Sequence, residues 1–445
     1  MLKVHFLGIG GSGASAAAAL AQTQDFEVSG CDLEPLNEFT KVFHDKQLFK
    51  NHSSSHILDK EIDILAVTPA IYSLDPDNPE LLAAKKKGIT IMTWQQFLGE
   101  YLTKGRFVIA VCGTHGKTTT TAMIAQMLED SRLDPIVEIG AIVPRWKANY
   151  RVGQGKYFVV EADEFNDNFL HLKPDITVVT NIEMDHPEFF KDFEKVKESF
   201  KKFLLQTKGT IVANLSDEGV GEVLKFVMKE TSTPAIDYSK NELGLKLKIP
   251  GQFNLLNASA AFQVGLLLNI DPSIIKKSLE NYQGVGRRFE YIGEYQEAKV
   301  YSDFGHHPTE IKVTVNAVRE KFPKSRILLI YQPHMFSRTK FLFDDFVKVF
   351  KSIPADKIFI IDIYKSREID TGLVTSKQLV ETVNKSTVSY IGNASETLGK
   401  LKPEIQKGDI VFFMSAGDTD KIARELVRSN KIIGQDKRSN RRTGC

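Results

Sequence analysis

A lysine and a threonine directly follow a glycine-rich turn, in the stretch VCGTHGKTTTT at residues 111–121. Phosphate-binding loops have the pattern G-x-x-x-x-G-K-[ST], and Gly116-Lys117-Thr118 matches its second half. The first glycine of the pattern would fall at Val111, but the compact turn GTHG begins at Gly113 instead. The residue types therefore suit the binding of nucleotide phosphates, in a loop shorter than the usual one.

The segments on both sides of this turn favour the same interpretation. A predicted strand, FVIAV, precedes the turn, and KTTTTAMIAQMLED after it is predicted as a helix. In that arrangement backbone N–H groups and the helix N-terminus face the phosphates. Lys117 would reach the β- and γ-phosphates, and Thr118 would offer its hydroxyl group to Mg²⁺. Four consecutive threonines are poor helix formers, which favours a local function over a chance glycine turn.

Polar side chains follow two further predicted strands, in KYFVVEADEF and DITVVTNIEMDH, at the points where the strands end. These side chains are Glu161, Asp163, Glu164, Asn181, Glu183, Asp185 and His186. Carboxylates gathered at the end of a buried strand repel one another unless a cation neutralises them. A solvated loop, or an ordinary surface histidine at position 186, is the alternative for each cluster taken alone. Together with the glycine turn, the two clusters predict a Mg²⁺-ATP site.

A second glycine loop, GIGGSG, follows the first predicted strand of the chain. It has the spacing Gly8-x-Gly10-x-x-Gly13, and Asp32 ends the next predicted strand, roughly 20 residues further on. This is the fingerprint of a dinucleotide-binding loop, in which the acidic residue faces ribose hydroxyl groups. The loop predicts a pyrophosphate site but does not specify the nucleotide.

The overall composition excludes several classes of protein. The formal net charge of the 445 residues is +2, so no strong field favours nucleic acid or membrane surfaces as partners. Cys31, Cys112 and Cys445 are too few and too scattered for a disulfide framework or a structural zinc site, which fits a cytoplasmic location. The N-terminal residues run straight into a predicted strand, so we expect no signal peptide. No apolar run approaches the ~20 residues that span a bilayer.

Strands and helices alternate along the chain, which predicts an α/β fold with parallel sheets in three domains. A Rossmann-like N-terminal domain is expected at residues 1–102 and a central P-loop ATPase domain with a mostly parallel sheet at 103–288. A C-terminal Rossmann-like domain is expected at 289–430, and residues 431–445 are predicted to be a disordered tail.

Eight motifs along the chain resemble, in their order, those of the Mur ligases of peptidoglycan synthesis. The motifs are GTHGKTTT, EADE, TNIEMDH, PGQFNLLNASAA, GVGRRFE, DFGHHPTEI, YQPHMFSRT and SAGDTDKI. The resemblance implies a domain for a UDP-sugar, a central ATPase domain and a C-terminal domain for the incoming amino acid. It also implies that GIGGSG holds the diphosphate of the UDP-sugar and not NAD.

The chemistry implied by the resemblance is the ATP-dependent formation of an amide bond, with Mg²⁺. ATP would phosphorylate the lactyl carboxylate of UDP-N-acetylmuramate, and an amino acid would then attack the acyl phosphate. L-Alanine is the favoured amino acid, while glycine and serine stay open. The expected state is a monomer or a homodimer, with no nucleic acid and no membrane as a partner.

The resemblance also assigns site residues, position by position. Those implied for ATP are Gly113, Thr114, His115, Gly116, Lys117, Thr118, Thr119, Asn254, Asn257, Arg288 and Asp303. Those implied for the UDP-sugar are Gly10, Gly11, Ser12, Gly13, Asp32, His52 and Thr68. Thr118, Glu161 and His186 would hold the metal, and His306, His307 and Arg338 the amino acid. The catalytic set would be Lys117, Glu161, His186, His306 and Arg338.

Some positions and some functions stay open at this point. Phe253 stands where the family usually has a histidine, which leaves the contact with the ATP base in doubt. Lys201, Lys202 and Lys208 are all candidates for the carbamylated lysine of related ligases. Within the family, a recycling ligase that adds a ready-made tripeptide is the main alternative. A nicotinamide-dependent oxidoreductase leaves the phosphate loop and both acidic clusters unexplained, and a non-ligating P-loop ATPase would turn over ATP without an amino acid.

Overall fold

The computed structural model of the protein describes residues 1–240, 243–370 and 372–439, with the backbone alone for residues 431–439. The described chain contains three β-sheets and divides into two compact units. The first unit comprises Met1–Met184, Phe189–Lys248 and Asn254–Val285. The second comprises Asp185–Glu188, Ile249–Phe253 and the chain from Gly286 onward.

The first sheet of the first unit is parallel throughout, in the order β3-β2-β1-β4-β5. Its strands are β1 (Leu2–Leu7), β2 (Phe26–Asp32), β3 (Leu48–Lys50), β4 (Ile64–Val67) and β5 (Thr90–Thr93). The strand order reverses between β1 and β4. Open α/β sheets bind ligands outside the carboxyl ends of the strands at such a switch point. The GIGGSG loop, which follows β1, lies there.

Five α-helices accompany this sheet. They are α1 (Ser12–Gln22), α2 (Ser55–Leu58), α3 (Ile71–Leu74), α4 (Pro79–Lys87) and α5 (Trp94–Phe97), with a 3₁₀ turn at Asp45–Gln47 and a π-helical turn at Leu98–Leu102. The alanines of α1 from Ala14 to Ala21 are all buried, because side chains this small let the helix pack closely. Asn149, from the second sheet of this unit, donates a hydrogen bond to the Ser12 carbonyl group at the start of α1.

The second sheet of the first unit has the order β12-β11-β10-β6-β9-β7-β8. Its strands are β6 (Phe107–Cys112), β7 (Ile136–Val143), β8 (Ala148–Arg151), β9 (Tyr157–Glu161), β10 (Ile176–Val179), β11 (Thr210–Ala213) and β12 (Ala235–Asp237). Only the β7–β8 pair of this sheet is antiparallel. Since β9 and β10 flank β6, their carboxyl ends flank the phosphate loop that follows β6.

The helices around this sheet are α6 (Lys117–Asp130), α7 (Phe193–Leu204), α8 (Glu218–Glu230), α9 (Gln252–Leu267) and α10 (Pro272–Glu280), with a 3₁₀ segment at Phe165–His171. The phenylalanines of α7 lie at helical spacing, and Val196, Phe200 and Phe203 are buried. The same spacing predicts Phe190 within the helix. Phe190 is buried but precedes it, because Asp192 caps the helix by accepting a hydrogen bond from the Lys195 N–H.

The second unit has one sheet in the order β13-β14-β18-β15-β16-β17. The strands are β13 (Glu290–Tyr295), β14 (Ala298–Asp303), β15 (Ile327–Tyr331), β16 (Lys357–Ile360), β17 (Val388–Tyr390) and β18 (Ile410–Met414). All pairs are parallel except β13–β14. Buried side chains cover both faces, as expected for a parallel sheet between helices.

The helices of this unit are α11 (Pro308–Lys321), α12 (Phe336–Phe341), α13 (Phe343–Ser352), α14 (Ser376–Val383), α15 (Thr397–Leu401) and α16 (Thr419–Ser439), with a 3₁₀ turn at Lys402–Glu404. The stretch RTKFLFDDFVKVFKSI, which the sequence pattern predicts to be helical, contains the junction of α12 and α13 at Leu342. Helix α16 includes the first part of the predicted tail, and residues 440–445 lie outside the described residues.

The predicted fold class is confirmed, since the chain has α/β architecture with three mostly parallel sheets. The domain boundaries near residues 102 and 288 stay predictions. No helix in the described part of the chain is both long enough and apolar enough to cross a membrane.

Candidate functional site

The glycine turn between β6 and α6 depends on residues without a side chain. Gly116 has a φ of +82°, and a Cβ atom there would lie 2.7 Å from the Asn257 Oδ1 atom. Gly113 has a φ of +132°, and a Cβ atom there would lie 2.0 Å from the Thr180 Oγ1 atom. Only glycine adopts such backbone angles at low cost while leaving this space free. The shortened phosphate loop is therefore a defined turn.

Lys117, the first residue of α6, folds its side chain back over the turn. Its ammonium group donates to the Gly113 carbonyl oxygen at 2.6 Å and to the Glu164 Oε2 atom at 2.7 Å. Burial alone would favour the neutral amine, but Glu164, Asp163 and Glu161 raise the pKa of Lys117 above its ordinary value. Lys117, whose side chain is 13% exposed, is therefore a partly buried cation that lies over the turn.

Thr118 and Glu161 form the second polar pair at this turn. The Thr118 hydroxyl group donates to the Glu161 Oε1 atom at 2.8 Å. The other carboxylate oxygen of Glu161 accepts a hydrogen bond from the Gly140 N–H, also at 2.8 Å. A hydroxyl and a carboxylate oxygen are hard donors of the kind that Mg²⁺ takes. The two side chains fit the predicted metal position.

Glu138 is a neighbour of this cluster that sequence reasoning missed. It lies on β7, opposite Val160 of β9, and its side chain is buried. Its Oε2 atom has no hydrogen-bond partner within the described chain. Burial, and then the charges of Glu161 and Asp163, raise the pKa of Glu138 well above its ordinary value. A cation beside these carboxylates would relieve the repulsion. The signal available was one acidic residue inside the apolar run IVEIG.

The segment after β10 fixes the backbone of the turn. The His115 N–H donates to the Asn181 side-chain oxygen at 2.8 Å, and the Thr180 hydroxyl group donates to the His115 carbonyl oxygen at 2.6 Å. The Glu183 N–H donates to the Thr114 hydroxyl oxygen at 2.9 Å. Thr114 and His115 thus connect the turn to the second polar cluster, and this cluster preorganises the loop.

Three other residues predicted for ATP lie in the same unit. Thr119 is buried on α6. Asn257 lies on α9 close to Gly116, and its Nδ2 atom is 3.4 Å from the Asn254 Oδ1 atom. Both asparagines are buried beside the turn.

The GIGGSG loop after β1 is fixed mainly by Asp32 at the end of β2. The Gly10 N–H donates to the Asp32 Oδ2 atom at 3.0 Å, and the Asn37 amide group donates to the Gly10 carbonyl oxygen at 2.9 Å. A Cβ atom on Gly13 would lie 2.4 Å from the Trp94 ring. Gly11 and Ser12 form the start of α1. Asp32 thus fixes the loop that the sequence assigns to the UDP-sugar.

Thr68 and His52 are also predicted for the UDP-sugar. The structure places them in different surroundings. Thr68 follows β4, and its side chain fills the space that a Cβ atom on Gly8 would need. His52 lies with its Nδ1 atom 3.3 Å from the Cys31 Sγ atom and 3.9 Å from the Glu80 Oε1 atom. Thr68 is therefore at the switch point, whereas His52 belongs to a separate polar cluster.

In the second unit, Arg338 forms a buried ion pair. Its Nε atom donates to the Asp185 Oδ1 atom at 2.7 Å, and its Nη1 atom lies 3.0 Å from the His334 Nδ1 atom. Although burial opposes ionisation, Arg338 holds the pKa of Asp185 well below its ordinary value. Burial, and then the charge of Arg338, lower the pKa of His306 to about 3. His306 is therefore neutral at neutral pH.

His186 lies next to this ion pair, in the same unit. Its Nδ1 atom is 3.1 Å from the Glu188 Oε1 atom. Burial lowers the pKa of His186, but Asp185 and Glu188 outweigh burial and raise it. Of the three predicted metal ligands, Thr118 and Glu161 meet in the first unit and His186 belongs to the second.

The remaining predicted residues of the second unit fix the start of α11 and the end of β14. Asp303 accepts hydrogen bonds from the N–H groups of Phe289 and Gly305, each at 2.8 Å. Burial raises the pKa of Asp303. His307 caps α11, with its Nδ1 atom accepting from the Thr309 N–H at 3.2 Å. Arg288 lies 3.4 Å from the Glu310 carboxylate and stacks over the Phe304 ring.

Three stretches that together span most of the chain match Mur ligase domains. Residues 3–106 match the Mur ligase family, catalytic domain; residues 111–244 match the Mur ligase middle domain; and residues 287–417 match the Mur ligase, glutamate ligase domain.

Full-length relatives carry a common name. The UDP-N-acetylmuramate–L-alanine ligase of Acetivibrio thermocellus is 38% identical, over 97% of this chain and 96% of its own length. The ligase of the same name from Aquifex aeolicus is 36% identical, over 96% of this chain and 97% of its own length.

Solved structures extend the comparison. The UDP-N-acetylmuramate–alanine ligase of Thermotoga maritima has a TM-score of 0.76 at 26% identity, covering 97% of this chain and 99% of its own. A murein peptide ligase of Psychrobacter arcticus shares the fold, with a TM-score of 0.69 at 21% identity, covering 96% of this chain and 98% of its own.

Proposed function

This chain belongs to the Mur ligase family, and on that premise we propose that it joins L-alanine to the lactyl carboxylate of UDP-N-acetylmuramate at the expense of ATP. The observation that carries the choice of substrates is the near full-length similarity, at 34–38% identity, to relatives that all bear the name UDP-N-acetylmuramate–L-alanine ligase. The geometry of the phosphate loop supports the use of ATP.

The proposed reaction overcomes the inertness of a carboxylate toward amines. One carboxylate oxygen of the lactyl group attacks the γ-phosphorus of ATP, the bond to the bridging oxygen breaks, and ADP leaves. The neutral α-amino group of alanine then attacks the carbonyl carbon of the acyl phosphate. The tetrahedral intermediate collapses with loss of inorganic phosphate, and an amide bond results. The protein's task is to position these groups and to stabilise the negative charge that develops.

We assign the phosphate chemistry to the turn after β6. The Lys117 ammonium group, charged and partly buried, would pair with the transferred phosphoryl group. Backbone N–H groups at the start of α6 would bind the other phosphate oxygens. Thr118 and Glu161 would hold Mg²⁺, which neutralises charge on the phosphates. Glu138, whose pKa burial and the charges of Glu161 and Asp163 raise, would become a metal-facing carboxylate only when a bound cation offsets that repulsion.

We assign the UDP-sugar to the loop after β1 and the amino acid to the second unit. Asp32 and Asn37 fix the glycine loop so that the start of α1 can face a diphosphate. In the second unit Arg338 would bind the alanine carboxylate through the part of its guanidinium group that faces away from Asp185. His306, with its pKa lowered to about 3, would face the amino acid as a neutral hydrogen-bonding group and not as the base that removes its proton. The substrates and the reducing environment suggested by unpaired, buried cysteines favour a cytoplasmic location.

The test is phosphate release from Mg²⁺-ATP in the presence of UDP-N-acetylmuramate, with alanine, glycine, serine and the L-Ala-γ-D-Glu-diaminopimelate tripeptide supplied in separate reactions. We expect release with L-alanine, weaker release with glycine and serine, and none with the tripeptide. Mass spectrometry of the UDP-sugar product should show the added alanine residue.

Each of the other outcomes would indicate a different activity. Release with the tripeptide alone would indicate the recycling ligase. Release without any amino acid would indicate an ATPase that does not ligate, and no release under any condition would refute the proposal.

A further inference from the structure

Five side chains with metal-binding atoms meet around the first sheet (β1–β5). One of them belongs to Cys31, whose carbonyl oxygen also accepts backbone hydrogen bonds from Gly8 and Ile9 of the first glycine loop, at 2.9 and 3.1 Å. The five residues are His5, Cys31, His52, His56 and Glu80. They come from β1, the end of β2, the segment between β3 and α2, α2 itself and α4. His5, Cys31 and Glu80 are fully buried, while the His52 and His56 side chains are 16% and 13% exposed. The cluster is therefore enclosed, with its two outer histidines next to solvent.

The Glu80 carboxylate is at the centre of the cluster. Its Oε1 atom lies 2.9 Å from the His56 Nδ1 atom and 3.1 Å from the Cys31 Sγ atom, and its Oε2 atom lies 3.1 Å from the His5 Nε2 atom. One ligand atom from each of His5, Cys31, His56 and Glu80 can be chosen so that all lie within 4.8 Å of one another. This set has two nitrogens, one sulfur and one oxygen.

His5 already has the orientation of a metal ligand. Its Nδ1 atom is hydrogen-bonded to the Ser29 hydroxyl group at 2.8 Å. Its Nε2 atom is buried and lies 3.1 Å from the Glu80 Oε2 atom, a contact that a bound ion would replace. A histidine that ligates a metal usually donates its other ring N–H to such a second partner, which fixes the tautomer.

The size of the cluster suits a tetrahedral ion. Bonds of about 2.3 Å to sulfur and about 2.0–2.1 Å to nitrogen and oxygen place neighbouring ligand atoms about 3.3–3.6 Å apart in a tetrahedron. The contacts to the two oxygens of Glu80 are 2.9–3.1 Å, and the four ligand atoms all lie within 4.8 Å of one another, so an ion requires side-chain shifts of up to about an ångström. Nitrogen, sulfur and carboxylate ligands together select Zn²⁺ or a similar transition metal over Mg²⁺.

We propose that His5 Nε2, Cys31 Sγ, His56 Nδ1 and one oxygen of Glu80 bind a single Zn²⁺-type divalent ion that is distinct from the Mg²⁺ of the phosphate loop. Binding replaces the thiol proton of Cys31, which leaves to solvent, and forms the metal–thiolate bond. The ion joins four segments that are far apart in sequence, so it stabilises the folded state of the region around the first sheet (β1–β5).

The test uses the full-length protein with Cys445→Ser, which removes a thiol outside the described residues. Co²⁺ and Zn²⁺ are the probes, added to metal-free protein at neutral pH. We expect one equivalent of Co²⁺ to bind with an intense thiolate-to-cobalt charge-transfer band. Zn²⁺ should displace the Co²⁺ and raise the melting temperature, with Mg²⁺ producing neither effect.

Substitutions locate the site. Cys31→Ser keeps a hydroxyl donor for Glu80, so the fold should persist, but the charge-transfer band should vanish and Zn²⁺ affinity should fall about 100-fold or more. His56→Gln should keep the band and weaken binding at least about 10-fold. His44→Gln, at an exposed histidine of the region around the first sheet, is the matched control and should change neither.

Two results would overturn the proposal. One is the absence of a thiolate band with stoichiometric Co²⁺. The other is Zn²⁺ binding that is equally tight in wild type, Cys31→Ser and His56→Gln. If Cys31→Ser fails to fold, the Zn²⁺ affinity of His56→Gln is compared with that of His44→Gln, and equal affinities would overturn the proposal. None of these measurements requires ligase activity, so they succeed or fail independently of the proposed function.

Discussion

The first unit contains two glycine loops that look alike in sequence but differ in their charge. GIGGSG follows β1 and GTHGKT follows β6, and each connects a central parallel strand to a helix. In the first loop, Asp32 accepts a hydrogen bond from the Gly10 backbone. In the second, Lys117 lies over the turn and Glu161 and Glu164 bind the side chains of Thr118 and Lys117.

The difference in charge between the two loops matches a difference between binding a phosphate group and transferring one. A strand, a glycine turn and a helix N-terminus suffice to bind phosphate groups, because backbone N–H groups do the work. Moving a phosphoryl group also requires charges aimed at the oxygens on which charge develops. Of the two loops as the structure describes them, the second combines a partly buried ammonium group with carboxylates suited to a metal ion.

The largest expected effect comes from Lys117→Ala in the second loop. Loss of the ammonium group should lower kcat by about 10²–10³, because a charge on the transferred phosphoryl group is left unpaired. UDP-N-acetylmuramate binding, measured by calorimetry, should be unchanged. Lys104→Ala, at an exposed lysine of the same unit, is the control and should behave as wild type. Loss of UDP-sugar binding in Lys117→Ala would show that the two loops are not independent.

Thr118 tests the metal in the second loop. Thr118→Val should raise the Mg²⁺ concentration for half-maximal activity by about 10–100-fold, because a hydroxyl ligand is replaced by a methyl group. Thr118→Ser keeps the hydroxyl group and should restore a nearly normal Mg²⁺ dependence. A Mg²⁺ titration of initial rates measures both. Equal Mg²⁺ dependence in Val and Ser variants would contradict the assignment.

Asp32 tests the first loop. Asp32→Ala removes the acceptor for the Gly10 N–H, a charged hydrogen bond worth about 1.5 kcal/mol or more. The KM for UDP-N-acetylmuramate should rise about tenfold, while the KM for ATP stays near its wild-type value. Steady-state kinetics with each substrate varied in turn gives both numbers. A parallel rise in the KM for ATP would remove the distinction between the loops.

The smallest effect on catalysis is expected from glycines within the first loop, whose substitution acts on stability. Gly13→Ala should destabilise the protein by about 1–3 kcal/mol, because the new methyl group would lie 2.4 Å from the Trp94 ring. Gly11→Ala is the matched control, since its Cβ atom would meet the Gly8 carbonyl oxygen at an ordinary 3.6 Å. Denaturant unfolding of the two variants should differ clearly. Equal stability would mean that Trp94 moves freely.

Local features of both loops could be predicted from the sequence because they depend on short-range geometry. The predicted helix KTTTTAMIAQMLED is α6, Lys117–Asp130. The strands on either side were visible as apolar runs ending in polar residues, and the α/β fold follows from their alternation with helices. The order of the eight motifs along the chain also predicts the Mur ligase family, which the domain matches confirm.

Contacts that depend on three-dimensional placement could not be predicted in the same way. Spacing put Glu161, Asp163 and Glu164 together, but the path of the chain after β9 decides that Glu164 pairs with Lys117. Glu138 reaches the cluster from β7, because β7 pairs with β9. Helix α13 begins anew after Leu342, a break that apolar periodicity does not show. The assigned roles of the site residues stay predictions until the variants are measured.

The contact between Lys117 and Glu164 has a consequence for how nucleotides enter. The ammonium group already has a carboxylate counter-ion at 2.7 Å. An incoming phosphate must therefore displace that counter-ion, and nucleotide binding becomes an exchange of one anion for another. Weakly charged anions compete poorly with the Glu164 carboxylate for Lys117. The contact with Glu164 therefore favours the binding of a multiply charged polyphosphate over that of a singly charged anion.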